Sequence, residues 1–304
     1  MNDTVHGHMV QDLLRHRFGS HDNLICKYSS KYPVQAEREF QRLTNAYIRI
    51  LNELLKEYLP EIRDAARAER EAGQRHDDAS DLIAKVKTVF SKMTVELERR
   101  TSMFGLRSKI ESMAKLTRKL SIREWKKAVK STLGIDLMDD YYTGELYRTM
   151  MERWVEDNVA LIKTIPQESL GRMRQIVLEG YRNGETTTAI VKQIQRTYSV
   201  DRRHAQLLAR DQIAKLNGDI TQQQQQDAGV VEYVWSTSGD GRVRPSHAAL
   251  NHKRFRWDDP PVVDEKTGRR CNPGMDYQCR CCALPVFNIK TVDLPVTKGG
   301  DDRG

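Results

Sequence analysis

The chain has 304 residues, of which 38% are hydrophobic and 30% charged, with a net charge of +8. A mean hydropathy of −0.67 is low for a compact globule and suits a helical protein with much solvated surface. No apolar run of about 18 residues could span a bilayer. Met1 to Val10 lacks the apolar core of a secretory signal, so the expectation is a soluble chain that is cytoplasmic when made, with no membrane partner. The positive balance favours an anionic partner, either nucleic acid or an acidic protein surface.

Residues 1–32 mix His, Ser and Asn with few regularly spaced apolar positions. They read as a loosely ordered arm with one short helix at Val10 to Arg17. From Pro33 the pattern changes, and Phe40, Leu43, Tyr47, Ile50, Leu51, Leu54, Leu55, Tyr58 and Ile62 recur every three or four residues, the mark of an amphipathic helix. After a polar break at Gly73 to Ser80, Ser80 can cap a second helix carrying Leu82, Val86, Val89, Phe90 and Met93. Gly105 separates it from a third with Leu106, Ile110, Met113, Leu116 and Leu120, and a Trp125, Val129, Leu133 segment follows. These elements make residues 33–150 an extended helical region.

Residues 151–198 read as a helical linker region, with an apolar stripe from Val155 to Ile165 and glycine stops at Gly180 and Gly184. Ile190 to Tyr198 and Ala205 to Leu216 give two further helices, the second closed by Asn217-Gly218. The run Gln222 to Gln226 fits a solvated helix face. No strand signal precedes Gly229, after which Val230, Val231, Tyr233, Val234 and Trp235 switch to an extended pattern. Tyr233 with Trp235, and Phe255 with Trp257, alternate as strand residues that pack a small β core. Dense breakers, among them Pro245, Pro260-Pro261 and Pro273-Gly274, leave only short strands and turns in a module spanning 199–290, with a tail at 291–304. The fold class is mainly α: an elongated helical N-terminal region followed by a small α+β C-terminal module that needs a staple, for which zinc is the candidate.

That staple is suggested by the cysteines. Cys26 stands alone, while Cys271, Cys279, Cys281 and Cys282 fall within a dozen residues, a clustering that favours metal ligands over disulfides. The candidate set is His247, Cys271, Cys279 and Cys281, with Cys282 as an alternative ligand, holding a structural zinc; free thiols near a surface histidine are the plainer reading. Arg269, Arg270 and Arg280 are expected to favour the thiolates. His247, Asn251 and His252 beside these cysteines also resemble a zinc-stapled His-Asn-His nuclease, but the residue types are common. No Gly-x-Ser-x-Gly or glycine-rich phosphate loop occurs, so no catalytic set is identified and the chain is read as a non-enzyme.

Charge is densest between Arg107 and Lys130, where Arg107, Lys109, Lys115, Arg118, Lys119, Arg123, Lys126, Lys127 and Lys130 face only Glu111 and Glu124. A solvated helix face and an anionic contact, either double-stranded DNA bound without sequence choice or an acidic protein surface, both account for it.

Several segments carry a resemblance to a known family: Lys31-Tyr32-Pro33 with Glu37-Arg38-Glu39-Phe40, then Ala209-Arg210-Asp211-Gln212, Ala228-Gly229-Val230 and Tyr233-Val234-Trp235-Ser236-Thr237-Ser238. The series continues with Asp240, Arg242, Arg244 and His247, Phe255-Arg256-Trp257, Asp259-Pro260-Pro261 and Cys279-Arg280-Cys281. In this order they resemble Mu F-like phage minor head proteins, the phage head morphogenesis family. The resemblance implies a structural virion protein at the portal vertex of the head, with the portal complex and a capsid or scaffold protein as partners. Some relatives carry Cys pairs where this chain has Arg244-Pro245-Ser246-His247, so the first metal ligand departs from the family's pattern. A free, non-specific nucleic-acid-binding protein and the zinc-stapled nuclease are the alternatives.

Overall fold

The computed structural model describes residues 8–19, 21–71, 80–137 and 145–294. Residues 73–79 of the expected polar break and 295–304 of the expected tail lie outside them. Seven helices and six short strands form among the described residues, which makes the chain mainly α with a small C-terminal sheet. It divides into two compact units, one built from Met1–Glu37, Met113–Trp154 and Arg210–Gly304, the other from Arg38–Ser112 and Val155–Ala209.

The second unit is all helix. Its core joins Leu51, Leu54, Leu55 and Ile62 of α2 (Val34–Glu71) to Leu82, Val86, Val89, Phe90, Met93 and Leu97 of α3 (Ser80–Met103). Leu170, Met173, Val177, Leu178 and Tyr181 of α5 (Glu145–Arg182) and Ile190 and Ile194 of α6 (Thr187–Asp227) complete it. These are the apolar positions that the three- and four-residue spacing predicts, and each such side chain taken from water stabilises by about 1.5–3 kcal/mol. Gly105, with φ +67, ends the turn between α3 and α4 (Leu106–Leu133) in the left-handed region that glycine enters without strain. Trp125, Val129 and Leu133 continue α4 with no break after Leu120.

The first unit holds the sheet. Its strand order is β1-β6-β2-β3, all antiparallel, from β1 (Asn23–Ile25), β2 (Glu232–Ser236), β3 (Arg254–Arg256) and β6 (Cys282–Asn288). β4 (Val262–Asp264) and β5 (Arg269–Arg270) form a separate pair, and α7 (Pro245–Leu250) is one short helix between β2 and β3. One face of β2 carries Tyr233 and Trp235 into a cluster with Trp257, Val263, Cys279, Cys281 and Ala283, and the other carries Val234 against Leu284 and Val286. The aromatic residues therefore pack as core, with Tyr233 and Trp257 centroids 4.5 Å apart. Trp125 of α4 meets Phe287 of β6 at 5.8 Å, anchoring that helix to the sheet.

Four expectations are corrected. A strand does precede Gly229: β1 is three residues long, too short for alternation to register, and it exists because β6 offers it a pairing edge. The short helix expected at Val10 to Arg17 does form, as α1 (His8–Phe18), and buries Val10 and Leu14. Asn217-Gly218 does not stop a helix, and the two helices expected from Ile190 to Leu216 are one continuous α6. Gly218 is small because a Cβ there would approach the Met275 sulfur at 3.1 Å and the Pro273 carbonyl at 3.3 Å, so the glycine serves close packing of α6 on a loop. Nor is Gln222 to Gln226 a solvated face, since Gln224 and Gln225 are buried and the Gln225 amide donates to the Ala283 carbonyl at 2.8 Å.

Asp219 on α6 gives a test of this packing. Burial pushes its carboxyl up to about 6, with Lys215 pulling the other way. A raised carboxyl pKa means that ionisation costs folded-state stability, starting near the unfolded value of 3.8 and complete above about 6. Asp219→Asn should therefore stabilise at pH 7.5 by roughly 1–3 kcal/mol and have no such effect at pH 3.5. Denaturant unfolding at the two pH values checks this, and an equal effect at both would show that the carboxyl is not burdened by burial.

Candidate metal centre

The centre is built on three side chains that the chain brings in from separate places. His247 lies in α7, whose start is set by Pro245 at the first helical position. Cys279 and Cys281 lie on the approach to β6, where Gln278 adopts φ +51 and the Cys279 N–H closes a turn onto the Asp276 carbonyl. Their ligand atoms all lie within 4.8 Å of one another, with His247 Nδ1 at 3.5 Å from Cys279 Sγ and 3.6 Å from Cys281 Sγ. A nitrogen and a sulfur bound to one tetrahedral zinc stand about 3.6 Å apart, from bond lengths of about 2.0–2.1 and 2.3 Å. The donor set and its spacing fit that ion.

The surroundings favour the charged thiol. Cys279 is held well below the ordinary thiol range, first by the Cys281 thiol hydrogen-bonding to it and then by His247, which together outweigh burial. Cys281 is correspondingly pushed up, by its bond to Cys279 and by burial. The Cys281 N–H also points at the Cys279 sulfur, 3.4 Å away. The arginines expected to favour the thiolates are engaged with carboxylates: Arg269 with Asp276 at 2.7 Å, Arg270 with Asp259, and Arg280 with Asp240.

Asp276 is the functional residue that sequence reasoning missed. Its side chain is 2% exposed and receives His247 Nε2 at 3.0 Å, Arg244 at 3.1 Å and Arg269 at 2.7 Å. The carboxylate fixes the imidazole so that Nδ1 faces the sulfurs, the arrangement by which a second carboxylate partner orients a metal-binding histidine. Burial pushes the His247 pKa down, but Cys279 and Asp276 outweigh it and leave it raised. A lone aspartate in a polar loop gives no sequence signal, because the histidine that it orients is 29 positions upstream.

The other predicted ligands are placed apart. Cys271 is half-buried, packs against the same core cluster, and is not among the three converging residues. Cys282 follows Cys281 in the alternation of the strand and has its sulfur on the Arg280 carbonyl at 3.8 Å. The nuclease-like set does not converge: the Asn251 side chain accepts from the Thr237 N–H at 3.0 Å, and His252 sits in a turn at φ 64. Cys279, His247 and Asp276 are also ordered like a thiol nucleophile, its base and an orienting carboxylate. With His247 2% and Cys279 3% exposed, a substrate has no approach to them.

The cationic residues of α4 are largely engaged within the chain. Arg107 meets Glu111 at 3.3 Å, Lys109 covers the Phe104 ring, Arg123 and Lys127 meet Glu124, and Lys130 meets Asp136 at 2.9 Å. Arg118 and Lys126 are half-buried and also have partners. Lys115 and Lys119 are exposed and have no carboxylate partner among the described residues. With Arg123, Lys127 and Lys130 they recur every three or four residues and so share one helix face.

No described helix is long and apolar enough to cross a membrane. No solved structure matches the chain. An uncharacterized protein of Haemophilus influenzae strain Rd is 30% identical over 160 residues, which are 53% of this chain and 34% of that protein, so the chain spans about a third of the length of this curated relative. The family model described as Phage Mu protein F like protein matches residues 172–284, a segment that contains His247, Cys271, Asp276, Cys279 and Cys281. Residues 172–284 of the chain are thus similar to the Phage Mu protein F like family.

Proposed function

We propose that the chain is a non-catalytic minor head protein of a tailed bacteriophage, a component of the virion head that docks at the portal vertex. The observation that carries this reading is the family match over residues 172–284. The nuclease reading is weakened because His247, Asn251 and His252 do not form one site and both ring nitrogens of His247 are engaged inside the core. The partners are the portal complex and a capsid or scaffold protein, with packaged DNA as a non-specific contact of α4. Lys115 and Lys119 are the cations best placed for that contact, since neither has a carboxylate partner among the described residues. A freely acting nucleic-acid-binding protein would bind DNA tightly, with a steep salt dependence and no portal association.

In this role the centre holds one structural zinc ion through His247 Nδ1 and the Cys279 and Cys281 sulfurs, and Cys271, which lies outside that set, would have to shift its thiol to serve as the fourth ligand. When bound, the ion supplies folding free energy, on the order of 10 kcal/mol for sites of this kind. His247 then joins α7 to the start of β6, and Asp276 holds its ring in register. The purified chain should contain one equivalent of zinc, lost in Cys279→Ser and Cys281→Ser. Asp276→Asn should keep the fold and weaken zinc binding about 10–100-fold. Less than a tenth of an equivalent in the wild type, with no loss of structure on chelation, would end the zinc reading.

Head incorporation tests the remainder. The double reversal Lys115→Glu with Lys119→Glu should lower the amount of the chain in purified heads while leaving its unfolding transition in place, because exposed charges contribute little to stability. Unchanged incorporation would return this face of α4 to a plain solvated surface. Phage infectivity unaffected by deletion of the chain would sink the head-protein reading itself.

A further inference from the structure

We infer that the first unit carries a phosphate-binding cleft separate from the metal centre. The cleft is an open cavity of about 600 Å³, bounded by the segment leading into α2, by α4 and by the end of β2. Lys31, Gln35, Arg123, Glu124, Ser236 and Arg280 are among its lining, while His247, Cys279 and Cys281 are not. A volume of this size exceeds a bare phosphate and accommodates a phosphate ester.

Three unspent donor sets meet there. Ser236 is only 9% exposed, lines the cleft, and its hydroxyl has no hydrogen-bond partner among the described residues. The hydroxyl is accessible from the cleft and not sealed in the core, so an acceptor from a ligand can reach it. The second set is the start of α2. Its first helical bond runs from the Glu37 N–H to the Pro33 carbonyl, which leaves the N–H of Gln35, in the cleft lining, and of its buried neighbour Ala36 without an acceptor among the described residues. These amides, at the positive end of a 38-residue helix, are the kind that bind oxyanions. The third is Lys31, whose exposed ammonium has no carboxylate partner among the described residues.

The negative charge nearby is already used. Glu124 accepts from the Tyr28 hydroxyl at 2.6 Å, the Lys31 N–H at 3.0 Å and Lys127 at 3.0 Å. Burial raises its pKa, but these bonds prevail and keep it below the ordinary carboxylate range. Arg123 lies 3.6 Å from the same carboxylate, and Arg280 is bound to Asp240. Lys31 is therefore the cation in excess. Hydroxyl, amide and ammonium donors from two chain segments, the approach to α2 and the end of β2, suit an anion with oxygens in several directions. A carboxylate, planar and served by one fork, would leave some of them idle.

The test is thermal unfolding of the full chain in inorganic phosphate against chloride at matched ionic strength. Phosphate should raise Tm in a saturable way in the wild type. Lys31→Gln should raise the apparent dissociation constant about tenfold, and Ser236→Ala, which keeps the strand, severalfold. Lys115 and Lys119 lie outside the lining, so reversing them leaves phosphate binding unchanged even where it abolishes the α4 contact proposed above. Competition by a short DNA duplex assigns the phosphate to a nucleic-acid backbone, and phosphate binding that the duplex does not displace assigns it to a free phosphorylated small molecule. The absence of any phosphate-specific shift, or the same response in Lys31→Gln and Ser236→Ala as in the wild type, overturns the cleft.

Discussion

A buried imidazole has two ring nitrogens to satisfy, and the C-terminal module is arranged around the way His247 satisfies them. Nδ1 faces two sulfurs and Nε2 faces a carboxylate, with partners 29, 32 and 34 positions downstream. The carboxylate is itself almost fully buried, and a buried charge is tolerated only when it is compensated. Arg244 and Arg269 provide that compensation from the start of α7 and from β5. One histidine thus determines where four otherwise irregular segments lie, in a stretch whose prolines and glycines would not fix them by secondary structure.

The two units stand on different physics. In the all-helical unit the apolar stripes of α2, α3, α5 and α6 meet in one core, and burial of Leu, Val, Phe and Met side chains carries it. Pro60 and Pro166 sit inside helices that continue through them, so packing there outweighs the hydrogen bond that each proline forfeits. The sheet unit has short strands and a small aromatic cluster, and it relies on directed polar contacts that are costly to leave half-made. Loss of one methyl group in the helical core would be graded in its effect. Loss of one partner of Asp276 would leave an uncompensated charge.

The basic helix shows how little a count of charges says about a surface. Nine cations against two carboxylates between Arg107 and Lys130 suggest a strong local field. Folding consumes much of it, because Glu124, Asp136 and the Phe104 ring are brought against Lys127, Lys130 and Lys109. What remains among the described residues is two lysines without a carboxylate partner, Lys115 and Lys119, in a row with partly compensated neighbours.

Helix periodicity is a local property, and it was readable: the apolar positions of α2 and α3, the turn at Gly105 and the switch to extended chain after Gly229 all follow from neighbours within a few residues. The residue types of the metal-type cluster were also readable, since thiols and imidazole announce their chemistry wherever they stand. The sequence could not choose which of five cysteines converge with His247, because that depends on which strand face each occupies and how the loops before β6 turn. Asp276 as orienting carboxylate, Gly218 as a packing contact and β1 as a sheet strand were likewise decided by tertiary structure alone. Each owes its role to a partner tens or hundreds of residues away, and no short-range pattern carries information of that reach.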